Sequence, residues 1–413
     1  MLSIDAVLDR AAHLLGNRFG GTPELTHPED LGGSSESVVL RVKVTPNPFL
    51  QERTVVIKQL PPVDATASDG ATAEAAEMAE AAEAAEAAMI REVVAYQYTN
   101  TLAEENRPGP LLLAHDIDQR VMVLSDAGDG TSYADILSVD GDEKRRSALR
   151  KLGRALGRMQ VATADGEEAF NTLNRRQYSR HGLPADRVDE RDVDVAALVE
   201  QGLGLLRRSG IEVSDTVAEF AAEAGQRQQR SRLRAFTPFD LTPDNIMLTD
   251  RVDFLDFEWA GFRDIVSDVA CVVAGFPHDT ATPLLDDGEI REFIDAWSSE
   301  VVAVWPDVRR ENELAGALVT SLIGWALMSL SLLYHGTLAV IANAGGAEES
   351  ARRLDRMPET HLADLATTIE SIRRFSLHAA EENPDDPRYP DVTGFAAGLL
   401  EKLAGLGAYP QIR

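Results

Sequence analysis

The stretch 236–268, FTPFDLTPDNIMLTDRVDFLDFEWAGFRDIVSD, constrains this chain more than any other. Asp240 is followed five residues later by Asn245. An extended run through DNIML, a turn at Thr249-Asp250 and a second strand, VDFLDF, then deliver Asp256. A loop carboxylate, an amide and a second carboxylate beyond a hairpin can converge on one spot. Phosphoryl transfer needs such a set: one carboxylate to accept a hydroxyl proton, and an amide with a carboxylate to hold Mg²⁺ over the phosphates. The metal takes hard oxygen ligands and offsets charge on the γ-phosphate. Asp and Asn also cap turns, which accounts for any one of these residues. It does not account for all of them at this spacing.

The pattern resembles the aminoglycoside phosphotransferase and choline kinase-like family of small-molecule kinases, relatives of the protein kinases. That family reads H-G-D-x-x-x-x-N, then a hydrophobic run ending in I-D-[FW]-[EG]. This chain reads Pro238-Phe239-Asp240 with Asn245, then Leu255-Asp256-Phe257-Glu258. The sequel from Trp259 to Asp264, with Asp268 opening a helix, is similar as well. The resemblance implies an α+β, two-lobed protein kinase-like fold, with a small β-rich N-lobe and a larger, mostly helical C-lobe. It implies Asp240 as catalytic base, Asn245 and Asp256 as metal ligands, and Asp268 as a brace for the catalytic loop. The family's first histidine is Pro238 here. Proline fixes φ and lacks an N–H, so the loop is expected to take a different shape.

The upstream half carries the matching nucleotide features. Such a kinase needs a strand lysine on the α/β-phosphates and a helix glutamate to orient it. Lys58 in VVIKQL and Glu92 in IREVVAYQY stand in that order. A lone strand lysine is commonly an outward-facing charge; the pairing with a helical glutamate is what points to ATP. Gly33, Ser34 and Ser35 lie where the family has its phosphate-covering loop, without a G-x-G-x-x-G pattern. Glycine there permits close backbone approach, and Ser hydroxyls can meet phosphate oxygens; a plain turn explains them equally well. The strand VMVLSDAG would lead into the hinge, with Ser125, Asp126 and Ala127 beside the adenine.

These positions divide the chain into a nucleotide-binding N-lobe over 1–125, a hinge over 126–142 and a catalytic, acceptor-binding C-lobe over 143–413. Within the N-lobe, alternation predicts strands at 38–44, 54–60, 110–116 and 121–125. The residues 65–88 interrupt it. They are almost only Ala, Glu and small residues, with Glu74, Glu77, Glu80, Glu83 and Glu86 spaced by three. Ala and Glu favour helix, but a step of three wraps the charges around it, so no face is apolar. The expectation is a solvated helical extension with a disordered start, followed from Met89 by an amphipathic helix.

Composition narrows the partners. With 68 Asp+Glu against 40 Lys+Arg, the net charge is −28, which argues against nucleic-acid binding and suits an amino-bearing substrate. The one cysteine, Cys271, excludes an internal disulfide and a multi-cysteine zinc site. The first twenty residues lack the basic start and apolar run of a secretory signal, so a cytoplasmic location is expected. The stretch 314–341 has no Asp, Glu, Lys or Arg and is long enough to span a bilayer. Its serines, threonines and glycines favour a buried core helix over a membrane span. The sequence thus predicts an ATP- and Mg²⁺-dependent transfer of the γ-phosphate to a hydroxyl of a small molecule, aminoglycoside-like or otherwise amino-bearing. Arg175, Arg176, Arg180, Arg227, Arg230, Arg232 and Arg234 leave two other readings open: a solvated helical surface, or a docking face for a peptide whose Ser or Thr is phosphorylated. A weakly active pseudokinase that binds nucleotide or a partner is the remaining alternative, motivated by Pro238.

Overall fold

The computed structural model describes residues 3–32, 37–60, 73–139, 141–183, 194–279, 282–335 and 357–411. It forms two compact units, one of Met1–Gly130, Glu168–Arg191 and Asp253–Ala260, the other of Thr131–Glu167, Asp192–Val252 and Gly261–Arg413.

The first unit is built on an antiparallel sheet of five strands: β1 (Leu25–Asp30), β2 (Val38–Val44), β3 (Thr54–Gln59), β4 (Leu112–Asp116) and β5 (Val121–Ser125), in the order β1-β2-β3-β5-β4. Alternation in β2 and β3 gives the sheet two distinct faces. Leu40, Val42, Val44, Val55, Ile57, Val121 and Val123 turn to one side and pack with Val7, Ala11 and Leu15 of helix α1 (Ile4–Phe19). The register sets the other face in rows. Arg41 lies opposite Val56, which lies opposite Leu124; Val39 lies opposite Lys58, which lies opposite Met122. The predicted strands are all present, and β1 is a fifth that its polar LTHPED sequence conceals.

Helix α2 runs unbroken from Ala73 to Thr99. The Ala/Glu segment and the amphipathic segment after Met89 are one helix, because nothing between them stops propagation: no Gly, no Pro, no capping residue. Its C-terminal part is buried, with Ala87, Met89, Ile90, Glu92, Val93, Val94, Tyr96 and Tyr98 in the interior. Residues 65–72, the expected disordered start, lie outside the described residues.

The second unit is mostly helical. Helix Glu311–His335 runs through its core, with Leu318, Val319, Leu322, Trp325 and Leu330 buried. By length and composition it could cross a membrane, but most of that stretch is buried inside the unit, and Ser331 Oγ donates to Leu198 O of a neighbouring helix at 2.8 Å. Neighbouring backbone also comes close, since a Cβ on Gly202 would lie 2.0 Å from Leu327 O. This is the core helix that its serines and glycines predict. Around it pack helices Val195–Arg208, Asp215–Arg230 and Ile265–Val273, then the pair Glu359–Glu382 and Arg388–Gly405. Helices Asp142–Thr163 and Asp287–Val301 pack together and are bound by a buried ion pair, Arg145 Nε to Glu289 Oε1 at 2.6 Å.

Candidate active site

Three of the sequence-predicted residues meet in the first unit. Lys58 Nζ donates to Glu92 Oε1 at 2.8 Å and to Asp256 Oδ1 at 2.9 Å. Strand β3 presents the lysine on the face opposite α1, and α2 brings Glu92 to it from a fully buried position. Burial works against the charge on Lys58, but Glu92 and Asp256 outweigh it and hold the ammonium well above its usual range. Burial pushes Glu92 the other way, toward its neutral form, against the pull of Lys58. Glu92 Oε2 is buried and has no hydrogen-bond partner among the described residues. Asp256 differs from both, with about a third of its side chain exposed (33%).

The segment carrying Asp256 is pinned on several sides. Phe254 N donates to Pro108 O at 2.7 Å, and a Cβ on Gly109 would lie 2.2 Å from Phe254 O, so only glycine fits beneath it. Asp256 has φ +58°, a left-handed conformation that Asp tolerates better than most residues. The Tyr96 hydroxyl, one helical turn beyond Glu92, hydrogen-bonds the Asp256 backbone, and its ring contacts Phe257 at 4.8 Å. Arg91 Nη1 donates to Glu258 O at 3.1 Å. One helix thus fixes both the lysine's partner and the Asp256 backbone.

The end of β5 and the residues after it are held by side-chain partners. Ser125 Oγ accepts from Leu111 N at 2.8 Å. Asp126 is claimed by Arg41, whose Nε lies 3.0 Å from Oδ2 and whose Nη2 donates to Oδ1 at 3.1 Å. Arg41 also reaches Asp129 at 2.8 Å and Gly128 O at 3.0 Å. Ala127 lies half-buried between them. The side chains of Ser125 and Asp126 are thus taken up within the unit. Gly33, Ser34 and Ser35 lie outside the described residues.

Asp240 and Asn245 meet in the second unit. The strand Arg234–Thr237 ends in the loop that holds them. Asp240 Oδ2 accepts from Asn245 Nδ2 and Oδ1 from Thr242 N, both at 3.3 Å. Asn245 closes a short turn, Pro243–Asn245, and the strand begins only at Ile246. The sequence reads as strand from Asp244; Pro243 at the head of the turn and the amide's reach back to Asp240 shorten it. With Nδ2 on Asp240, the Asn245 amide oxygen is the atom suited to a cation.

Behind this loop lies helix Ile265–Val273. Asp268 is buried and its Oδ2 accepts from Gln160 Nε2 at 3.0 Å, while Gln160 Oε1 accepts from Trp297 Nε1 at 2.7 Å. Burial lifts Asp268 to about 8. From the same helix the Cys271 sulfur receives the N–H of Leu241, in the loop that carries Asp240, and burial keeps the thiol protonated. Sequence reasoning missed Cys271, Arg41 and Tyr96. Tyr96 was within reach, because it stands four residues after Glu92 and so shares its helix face.

The sequence matches the phosphotransferase enzyme family (APH) over residues 32–307 of 413. No protein of curated function matches it. Among solved structures, it is similar to a choline/ethanolamine kinase family protein from Mesorhizobium loti, at 15% identity and TM-score 0.43, covering 94% of this chain and 99% of that one. It is similar also to choline kinase LicA from Streptococcus pneumoniae, at 11% identity and TM-score 0.44, covering 88% and 99%. A third is APH(2")-IIa in a ternary complex with streptomycin and ATP, at 11% identity and TM-score 0.42, covering 83% and 97%. Family membership follows from the sequence match and not from these likenesses.

Proposed function

The chain belongs to the phosphotransferase enzyme family, and from that premise we propose that it transfers the γ-phosphoryl group of ATP to a hydroxyl of a small, amino-bearing molecule. The observation that carries this is the Lys58 ammonium between Glu92 and Asp256. A buried lysine with two carboxylates is kept charged and aimed, which is what holding nucleotide phosphates demands. A pseudokinase has no use for the full set, and Lys58, Glu92, Asp240, Asn245 and Asp256 are all present.

The roles follow from the chemistry of each group. Lys58 would bind the α/β-phosphates, with Glu92 fixing its position. Asp240 would orient the acceptor hydroxyl in line and accept its proton as its oxygen bonds to the γ-phosphorus and the bond from that phosphorus to the bridging oxygen breaks, releasing ADP. Asn245 and Asp256 would hold Mg²⁺. The donor chemistry fits, since an amide oxygen and a partly exposed carboxylate are hard ligands. Among the described residues no group of three or more His, Cys, Asp or Glu could hold a metal; Mg²⁺ usually keeps waters and phosphate oxygens in its shell and needs few protein ligands. When bound, the ion offsets charge on the transferring phosphoryl group. The acidity of the chain supports a cationic acceptor, through long-range attraction.

The test is ATP consumption with Mg²⁺ across a panel of hydroxylated amines, other alcohols and Ser/Thr peptides, with products detected by mass. A gain of one phosphate on a small amino alcohol, abolished by Asp240→Asn, is the expected outcome. Phosphorylation confined to peptides would replace the acceptor assignment. Equal ATP affinity with and without Mg²⁺ would count against phosphoryl transfer altogether.

A further inference from the structure

Phe239 is held in a conformation that phenylalanine rarely adopts. Its φ is +69°, in the left-handed region, where a bulky side chain is an outlier. Glycine enters that region freely, and glycine is what the H-G-D pattern carries directly before the aspartate. A residue stays in such a conformation only where its surroundings over-determine it. Here they do. The Arg263 guanidinium carbon lies 4.5 Å from the centre of the Phe239 ring. The Trp325 ring stacks on Phe239 at 5.5 Å, with 28° between the planes. All three residues are buried.

Both partners of the ring are themselves fixed. Arg263 lies on strand Gly261–Asp264, which pairs with Arg234–Thr237 directly upstream of the loop. A Cβ on Gly261 would lie 2.8 Å from Arg263 Nη1, so the missing side chain leaves the space that the guanidinium occupies. Trp325 Nε1 donates to Ser267 O at 2.8 Å, next to Asp268 on the helix whose Cys271 sulfur receives Leu241 N–H. Asp240 is therefore flanked by two fastened residues, Phe239 through its ring and Leu241 through its amide. Its carboxylate also accepts from Thr242 N and Asn245 Nδ2, both at 3.3 Å.

We propose that Phe239, Arg263 and Trp325 are positioning residues for Asp240. The stack fixes the backbone at 239 and hence the direction in which the next carboxylate leaves the loop, where glycine would leave that direction free. Packing replaces the histidine and glycine of the family pattern. This rests on Asp240 being the base of the proposed reaction.

The experiment measures ATP turnover with Mg²⁺, using water as acceptor or an alcohol found in the panel above, per folded molecule. Phe239→Leu and Trp325→Leu keep apolar volume and lose the stacking faces. Each is expected to lower kcat at least tenfold while KM for ATP stays within twofold. Trp325→Phe restores a stacking face and is expected within threefold of wild type. In a crystal structure of Phe239→Leu, residue 239 should leave the left-handed region and the Asn245–Asp240 hydrogen bond should be lost. A purely structural role predicts lower thermal stability with unchanged kcat; that result in Phe239→Leu and Trp325→Leu, beside an inactive Asp240→Asn, overturns the inference and spares the proposed function. Wild-type turnover by Asp240→Asn overturns the proposed function instead. Should Phe239→Leu not fold, Arg263→Lys makes the same comparison, since it keeps the charge and loses the planar face.

Discussion

The two units hold their functional groups by opposite means. Around Lys58 the restraint is charge: one ammonium, two carboxylates and contacts of 2.8 and 2.9 Å, with Lys58 and Glu92 largely buried. Around Asp240 the flanking residues are held by shape: a strained residue, two rings, a guanidinium and a sulfur. A group restrained by charge is also part of the fold's energetics, because in a buried pair each charge offsets the desolvation of the other. A group restrained by packing can lose its chemistry and leave the fold nearly unchanged. Function and stability should therefore separate in the second unit and travel together in the first.

The largest expected effect tests the first half of that contrast. Asp240→Asn removes the proton acceptor and keeps the shape and the contact with Asn245. General-base groups contribute roughly a hundredfold to ten-thousandfold, so kcat should fall by about a thousandfold while the melting temperature moves by no more than a degree or two. A loss of stability in step with activity would erase the contrast.

Lys58→Met should behave in the other way. It leaves Glu92 buried beside Asp256 with no cation, and removing one member of a buried pair costs about 3–5 kcal/mol. ATP affinity and thermal stability should fall together. The pH dependence has a definite sign. Burial raises Glu92, and without Lys58 nothing opposes it. An acid raised in the folded state stabilises below its unfolded pKa and loses that contribution as pH rises. The destabilisation by Lys58→Met should accordingly be smaller at pH 5 than at pH 8, and Lys58→Met with Glu92→Gln should recover most of it. A loss independent of pH would mean that Glu92 is not the group left stranded.

Much of this was legible in the sequence, for particular reasons. Strands β2, β3, β4 and β5 announce themselves by alternation, and Lys58, Glu92, Asp240, Asn245 and Asp256 by residue type at spacing. What the sequence hides is whatever depends on a distant partner. Nothing near Arg41 says that Asp126 and Asp129, 85 and 88 residues on, will engage it. Pro238 reads as a departure from a pattern, while Phe239 beside it draws no notice; only the approach of Arg263 and Trp325 gives Phe239 a physical sense. Strand β1 is missed because LTHPED, mostly exposed at the sheet edge, has no apolar face to betray it.

A smaller effect lies behind the loop. Asp268 is raised to about 8 by burial, above the ordinary carboxylate value near 3.8. As an acid raised in the folded state, it contributes stability that is complete below about pH 4 and is lost as pH climbs toward 8. Asp268→Asn keeps an acceptor for Gln160 and removes the titration. Its melting temperature relative to wild type should rise steadily from pH 5 to pH 8, by several degrees at the upper end. A difference that stays flat with pH would show that Asp268 is ionised throughout, restrained by charge as Lys58 is.

The smallest expected effect asks how local the charge restraint is. Helix α2 carries Glu92 in its C-terminal part, where Met89, Ile90 and Val93 are buried as well, and its Ala/Glu part lies upstream in sequence. Removing residues 74–84 takes out eleven residues, close to three turns at about 3.6 per turn, so the phase of the remaining helix is nearly kept. Glu92 and Tyr96 should return to the same face. No apolar stripe is lost, because the Ala/Glu spacing by three supplies none, and surface changes of this kind stay within about 0.5 kcal/mol. ATP affinity and melting temperature should both match wild type. Deleting residues 75–84 instead, one residue fewer, rotates the remainder by about 100° relative to the shorter form. If the upstream part of the helix is held by other contacts, that variant should weaken ATP binding; if it is free to turn, the two deletions should be indistinguishable. A loss of ATP binding in the in-phase deletion would show that the Lys58–Glu92 contact depends on the far end of its helix, and that the charge cluster is not self-sufficient.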